Sequence, residues 1–302
     1  MIETAYLAHP DFVDALAAEL GDVTRRHGRL LLAPGAARDV AWAQNVWVDP
    51  VRRPIRSIGE GAKALRAVQR NWVAYLPEHG ARGRLLGEKL PPVSGRPLVF
   101  GQPRPAAPLG SWTLLDRDEL LFAAHCTSAF PNGEVRFEED RHVPPNRAYL
   151  KLWEALTLLD ERPGPGDRCL DLGSSPGGWT WVVAGLGAQV ISVDKAPLDD
   201  VVAAMPEVTF RQESAFGLDP HEVGPVDWLF CDIACYPERL LGLVRRWMDA
   251  GTCARFVCTI KLQGEHDDDV LRAFAAVPGA RVRHLWHNKH ELTWFLVPPR
   301  QG

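Results

Sequence analysis

Asp171-Leu172-Gly173-Ser174-Ser175-Pro176-Gly177-Gly178-Trp179 is the stretch on which the reading of this 302-residue chain turns. It joins a short apolar run, 168–172, to a segment with helical character, 179–184. Glycine in such a connection lets the backbone turn sharply and approach a ligand with no Cβ in the way. Asp194 closes the next apolar run, at the separation where an acid grips a ribose diol in nucleotide-binding α/β domains. A phosphate-cradling loop would read Gly-x-Gly-x-x-Gly over a helix N-terminus. This one reads Gly-x-x-x-Gly-Gly with a proline inside, which disfavours NAD and favours S-adenosylmethionine, a nucleoside ligand without phosphate.

Working outward, the spacing predicts strands at 168–172, 189–193, 208–212, 227–233 and 256–261. Each is short and rich in Val, Ile, Phe or Cys, as strands covered on both faces should be. Helices are predicted at 147–159, 179–184, 237–248 and 267–276. Segments 281–286 and 291–297, joined by the turn 287–290, suggest a closing hairpin. This rhythm implies a Rossmann-like, doubly wound α/β domain with a mostly parallel sheet and an antiparallel end. Pro144-Pro145 marks its start, giving domains at 1–145 and 146–302. The smaller first domain reads as α+β: strand 3–8, helix 11–20, strand 29–32, helix 57–70, and a proline-crowded linker 89–110. Two strands, 112–115 and 134–137, follow with a short helix, 118–124, between them.

The net charge of −4 is unevenly spread. Residues 52–104 hold 11 basic residues (Arg52, Arg53, Arg56, Lys63, Arg66, Arg70, Arg82, Arg84, Lys89, Arg96, Arg104) against only Glu60, Glu78 and Glu88. Such a stretch can pair with phosphates, or can be a solvated helix face. The six cysteines lie in or beside apolar runs without zinc-ligand spacing, and buried free thiols are expected. His284, His287 and His290 fall in strand and turn rather than on one helical face, so no metal site is expected. With no apolar run near the ~20 residues of a membrane span and no secretion signal, a cytoplasmic location is expected.

Four charged residues stand where buried positions are normally apolar. Lys151 lies within Tyr149-Leu150-Lys151-Leu152-Trp153, and Asp232 ends Trp228-Leu229-Phe230-Cys231. Lys261 ends Phe256-Val257-Cys258-Thr259-Ile260, and Glu291 begins Glu291-Leu292-Thr293-Trp294-Phe295. Three sit at strand ends, where the ligand edge of the sheet would gather them. In this order and spacing around the glycine loop, the sequence resembles the FtsJ-type RNA 2′-O-ribose methyltransferases, whose signature is a Lys-Asp-Lys-Glu tetrad. The runs Pro145-Asn146-Arg147-Ala148-Tyr149-Leu150-Lys151-Leu152 and His284-Leu285-Trp286-His287-Asn288-Lys289-His290-Glu291 are most similar to the branch that modifies large-subunit ribosomal RNA.

The resemblance covers about 145–297. It implies Lys151, Asp232, Lys261 and Glu291 as catalytic. It also implies Asp171, Gly173, Ser174, Ser175, Pro176, Gly177, Gly178, Trp179, Asp194, Glu213, Ser214 and Asp232 as the S-adenosylmethionine site. The family often places an Asp against adenine where Ser214 stands, leaving Glu213 or a backbone amide for that contact. The family further carries a ferredoxin-like piece and an RNA-binding THUMP-type domain, here reduced. Residues 11–20 look like the first helix of that piece. A ribose hydroxyl is a weak nucleophile that needs a base as the methyl moves, and Lys261 is the candidate. Lys151 as a second cation, with partial burial, is expected to lower Lys261 below its ordinary ~10.4. Two other readings compete. One is an RNA-binding assembly factor that keeps the fold without turnover. The other is a base- or protein-directed methyltransferase, disfavoured because Asp232-Ile233-Ala234-Cys235-Tyr236 lacks an Asn/Asp-Pro-Pro-Tyr/Phe motif.

Overall fold

In the computed structural model, which describes residues 2–262 and 268–298, the chain divides into two units, Met1–Phe137 and Glu138–Gly302. Glu139 and Asp140 attach to the second unit ahead of the proline pair. Arg147 donates to Glu139 at 2.8 Å, and the Tyr149 hydroxyl donates to the Asp140 carbonyl at 2.7 Å.

The first unit is β-rich. Its elements are β1 (Glu3–Ala8), α1 (Val13–Leu20), β2 (Arg25–His27), β3 (Leu30–Pro34), β4 (Ala43–Val48), β5 (Val51–Pro54), α2 (Ile58–Val68), β6 (Trp72–Ala74), α3 (Gly80–Gly87), β7 (Gly110–Asp116), β8 (Glu119–Ala123) and β9 (His125–Cys126). Two sheets form, ordered β2-β3-β1-β4-β9 and β5-β8-β7-β6.

The alternation along β7 and β8 explains why both faces of the second sheet are dry. Trp112, Leu114, Leu120 and Phe122 pack with Ile55, Ala62, Leu65 and Leu86, while Leu115, Leu121 and Ala123 pack with Ala5, Leu7, Leu30 and Trp47. Two expectations are corrected here. Segment 118–124 is not a helix: Glu119–Ala123 pairs antiparallel with β7, because cross-strand partners and burial on both faces override the helix propensity of Leu and Ala. Segment 134–137 is not a strand; it contributes a single bridge, Leu98 to Phe137.

The second unit runs α4 (Tyr149–Leu159), β10 (Arg168–Leu172), α5 (Gly178–Gly185), β11 (Gln189–Asp194), α6 (Asp200–Ala203), β12 (Val208–Gln212), α7 (Pro220–Val223), β13 (Trp228–Cys231), α8 (Pro237–Asp249), β14 (Arg255–Lys261), α9 (Asp268–Ala275), β15 (Ala280–Arg283) and β16 (Glu291–Leu296). Its sheet is ordered β12-β11-β10-β13-β14-β16-β15. β10 to β14 pair in parallel, and β16 lies antiparallel between β14 and β15. The first residue of the predicted helix 267–276, Asp267, lies outside the described residues. Strand order reverses between β10 and β13, so the loops after those two strands open on one crevice, where α/β sheets of this kind bind ligands. Among the described residues no helix is long and apolar enough to cross a membrane.

Candidate active site

The register of β14 against β16 places Lys261 opposite Glu291, and cross-strand partners have side chains within reach of each other. Asp232 follows the end of β13, beside β14. Lys151 enters from the first turn of α4. The four side chains close a ring of ion pairs. Lys151 Nζ lies 2.7 Å from Asp232 Oδ2 and 3.0 Å from Glu291 Oε1. Lys261 Nζ lies 2.5 Å from Asp232 Oδ1 and also contacts Glu291 Oε2. Thr259 adds a hydroxyl donor to Asp232 Oδ1 at 2.6 Å. Each carboxylate thus serves both lysines, and two positive charges balance two negative ones.

Burial opposes the charge on Asp232, but Lys151 and Lys261 outweigh it and hold the carboxyl below its ordinary range. Burial likewise works to lower Lys261, yet Asp232 and Glu291 win and hold the ammonium above 10.5. The expectation that a second cation would lower Lys261 is therefore corrected. The two carboxylates touch its Nζ directly, whereas Lys151 acts only through carboxylates that it shares.

Beside the ring lies a cleft of about 460 Å³, within the size range of small-molecule sites. Gly173, Asp194, Glu213 and Ser214 line it, as expected from sequence. The Gly173 position admits no side chain: with φ of +75°, a Cβ would lie 2.4 Å from Ile233 Cγ1. Asp194 is fixed by two backbone amides, Ser175 N–H at 3.1 Å and Ala196 N–H at 2.9 Å. Its aim is therefore set before any ligand arrives.

The other loop residues have different surroundings. Asp171 is fully buried beneath the loop. Its Oδ2 accepts from Thr180 at 2.6 Å, and Thr180 in turn contacts Ser192 at 2.9 Å. Burial pushes the Asp171 carboxyl up to about 7, with Thr180 opposing and Asp232 and Asp194 adding to the rise. Gly178 faces α4: a Cβ there would meet Asn146 Oδ1 at 2.2 Å. Gly177 packs on Val202, and Ser175 Oγ donates to the Pro197 carbonyl at 2.7 Å across from Pro176. Trp179 is buried, donates from Nε1 to the Ala148 carbonyl at 2.9 Å, and carries Lys151 Nζ 6.0 Å from its ring centre. These residues shape the loop and seat α4 against it, while the cleft is lined from elsewhere.

Sequence reasoning missed the apolar wall of the cleft, Phe216 and Ile233, and its rim, Tyr236 and Arg239. Arg239 stacks 3.8 Å over the Phe216 ring, a contact between residues 23 positions apart that no local pattern announces. Tyr236 is 65% exposed at the head of α8, and an isolated aromatic after Asp232 was the one available hint.

The donor set suits S-adenosylmethionine. A side-chain-free approach at Gly173, an aimed carboxylate at the end of β11 and an aromatic wall match a ribose and a base. Ser174 Oγ and Asp171 Oδ1 are buried with no hydrogen-bond partner among the described residues, leaving polar capacity in the loop. Among the described residues no cluster of three or more His, Cys, Asp or Glu could hold a metal ion. His287 bonds Glu154, and His284 lies 3.0 Å from the Lys289 carbonyl.

The second unit is a doubly wound, Rossmann-like sheet with this cleft and ring at its ligand edge, and residues 144–274 are similar to the model of the FtsJ-like methyltransferase family. The chain is 33% identical over 189 residues to the ribosomal RNA large subunit methyltransferase M of Thauera aminoaromatica, covering 57% of this chain and 51% of that protein. Identity to the protein of the same name from Cellvibrio japonicus is 36% over 187 residues, covering 56% and 53%. With that from Xanthomonas axonopodis pv. citri it is 32% over 213 residues, covering 65% and 60%. The chain spans about half the length of the curated relatives it matches.

Proposed function

We propose that this protein is a cytoplasmic enzyme that methylates a ribose 2′-hydroxyl of large-subunit ribosomal RNA, with S-adenosylmethionine as methyl donor. The observation that carries the reading is the closed ring of Lys151, Asp232, Lys261 and Glu291 beside a nucleoside-sized cleft, its first three members inside the segment that matches the FtsJ-like model and Glu291 on the strand that follows. Gly173, Asp194, Glu213 and Ser214 would hold the cofactor, with Phe216 and Ile233 as its apolar wall. When bound, S-adenosylmethionine supplies an electrophilic methyl group on a cationic sulfur.

Lys261 takes the hydroxyl proton, and for that it must first be neutral. Asp232 and Glu291 resist this, but Lys151 competes for the same two carboxylates and limits their hold. Loss of one proton leaves the ring net negative, a state favoured by any positive charge that enters the site. Asp232 and Glu291 also fix the direction of the lysine amine, and alignment of the reacting groups supplies much of the acceleration.

The first unit serves as a THUMP-like RNA-binding region. Arg52 and Arg82 are taken up by Glu3 and Asp118, leaving the exposed Arg53, Arg56, Lys63, Arg66, Arg70 and Arg84 for phosphates.

The test uses the full chain, S-adenosylmethionine with a labelled methyl group and large-subunit ribosomal RNA. Label should appear in alkali-resistant 2′-O-methylated dinucleotides. Label confined to bases would overturn the ribose assignment, and RNA binding without label would favour the non-catalytic assembly factor.

A further inference from the structure

α4 presents a second charged side chain on the buried part of its surface, one turn beyond Lys151. Glu154 is 1% exposed, and a buried carboxylate is costly unless its oxygens are satisfied. They are. Oε1 accepts the Trp286 N–H at 2.7 Å, and Oε2 accepts the His287 N–H at 2.9 Å and the His287 Nδ1–H at 2.7 Å. Two successive amides and an imidazole converge on one carboxylate, the pattern of a backbone anion nest.

Those amides begin the turn that delivers Glu291 to the ring. Further bonds stiffen it from 284 to 293. Asn288 N–H donates to the Leu285 carbonyl at 3.0 Å, and Asn288 Nδ2 donates to the Glu291 carbonyl at 3.1 Å and to Thr293 Oγ1 at 3.0 Å. One helix therefore supplies Lys151 and also grips, through Glu154, the turn that supplies Lys151's partner Glu291.

We propose that Glu154 is a positioning residue for methyl transfer: its carboxylate fastens the turn at 286–290 to α4 and so holds Glu291 against Lys151 and Lys261. This inference rests on the methyl-transfer reading above. Among the described residues Glu154 bonds Trp286 and His287 and no member of the ring or cleft lining, so it acts by setting the separation between two members of the ring. A displacement of about 1 Å in such a group costs up to ~100-fold in rate.

The experiment compares the full-length wild type with Glu154→Gln, Glu154→Asp and His287→Ala. Glu154→Gln keeps the size but turns one acceptor into a donor facing an N–H. It should lower kcat about 10- to 100-fold while KM for RNA and Kd for S-adenosylmethionine stay within about threefold, the split expected when alignment rather than binding is lost. Amide exchange at Trp286 and His287 should quicken by on the order of tenfold. The Lys261 ammonium, followed by NMR on 15N-lysine protein, should titrate lower than in wild type because Glu291 no longer faces it. Glu154→Asp should restore part of kcat, and His287→Ala, which keeps both backbone bonds, should lose less than Glu154→Gln.

Wild-type kcat in Glu154→Gln together with faster amide exchange would reduce Glu154 to a brace of the fold. If the wild type itself methylates no RNA, the methyl-transfer reading fails, and the Lys261 titration still decides whether Glu154 holds the ring; an unchanged titration overturns it. Should Glu154→Gln not fold, Glu154→Asp and His287→Ala carry the same comparison.

Discussion

Asp171 and Asp232 lie at the ligand edge of neighbouring strands, both withdrawn from solvent, yet their environments drive them in opposite directions. Asp171 has a hydroxyl, Thr180, and among the described residues no cation at its oxygens, and burial pushes it up to about 7. Asp232 is also opposed by burial, though 15% of its side chain is exposed, and it faces two ammonium groups, which pull it below the ordinary carboxylate range. Depth alone does not set charge at this edge; the partners do. The region beneath the glycine loop is built to keep its shape, whereas the ring concentrates full charges where a hydroxyl would have to lose a proton.

The largest effect expected from this contrast concerns Lys261. Lys261→Ala should lose methyl transfer by on the order of 10²–10⁴ while still binding S-adenosylmethionine. Lys261→Arg should fail as well, because a guanidinium is not deprotonated in proteins. Activity near wild type in Lys261→Arg would sink the base role and leave Lys261 as a clamp. The pH profile sharpens the point. The two carboxylates hold Lys261 above 10.5, and kcat/KM reports the free enzyme, so its rising limb should extend above 10.5 and vanish in Lys261→Ala.

Asp171→Asn tests the other half of the comparison. A carboxyl raised from 3.8 to about 7 favours the fold below 3.8 and loses that contribution as pH rises to about 7. Removing it should therefore make the variant gain on wild type across that window, by up to about 4 kcal/mol, read by urea unfolding at several pH values. A constant difference between the two proteins would mean that Asp171 titrates normally. Asp194→Ala removes a carboxylate that is aimed rather than sequestered. S-adenosylmethionine binding should weaken at least tenfold, about 1.4 kcal/mol, by calorimetry, and unchanged affinity would remove Asp194 from the site. Smallest at the ring itself is Arg66→Glu with Arg70→Glu, in the other unit. RNA binding should weaken and its salt slope flatten by roughly 2 with cofactor affinity unaltered. A salt slope equal to wild type would make these residues part of a solvated surface.

The second unit was largely legible because parallel strands covered on both faces are written as short apolar runs, and residues 168–172, 208–212 and 256–261 stand close to the strands observed. The first unit was less so. Glu119-Leu120-Leu121-Phe122-Ala123 has the composition of a helix and became a strand because β7 and two buried faces were waiting for it. β4 and β6 went unread for the same reason: short strands owe their existence to distant partners. Within the site, Lys151, Asp232, Lys261 and Glu291 were visible as charges set in apolar runs, while Phe216 and Arg239 were not, since their stacking depends on how the loop after β12 meets the first turn of α8.

By itself, the sequence determined the strand and helix rhythm of the second unit, the glycine at a position that tolerates no Cβ, and which four charged groups stand at strand and helix ends. Those are properties of residue type and spacing. Only the tertiary structure decided that each carboxylate serves both lysines, that Lys261 is held protonated rather than released, and that Asp171 is sequestered while Asp194 is aimed into the cleft. Those outcomes depend on distances and burial among groups far apart in the chain, and electrostatic energies follow separation and environment rather than order along a sequence.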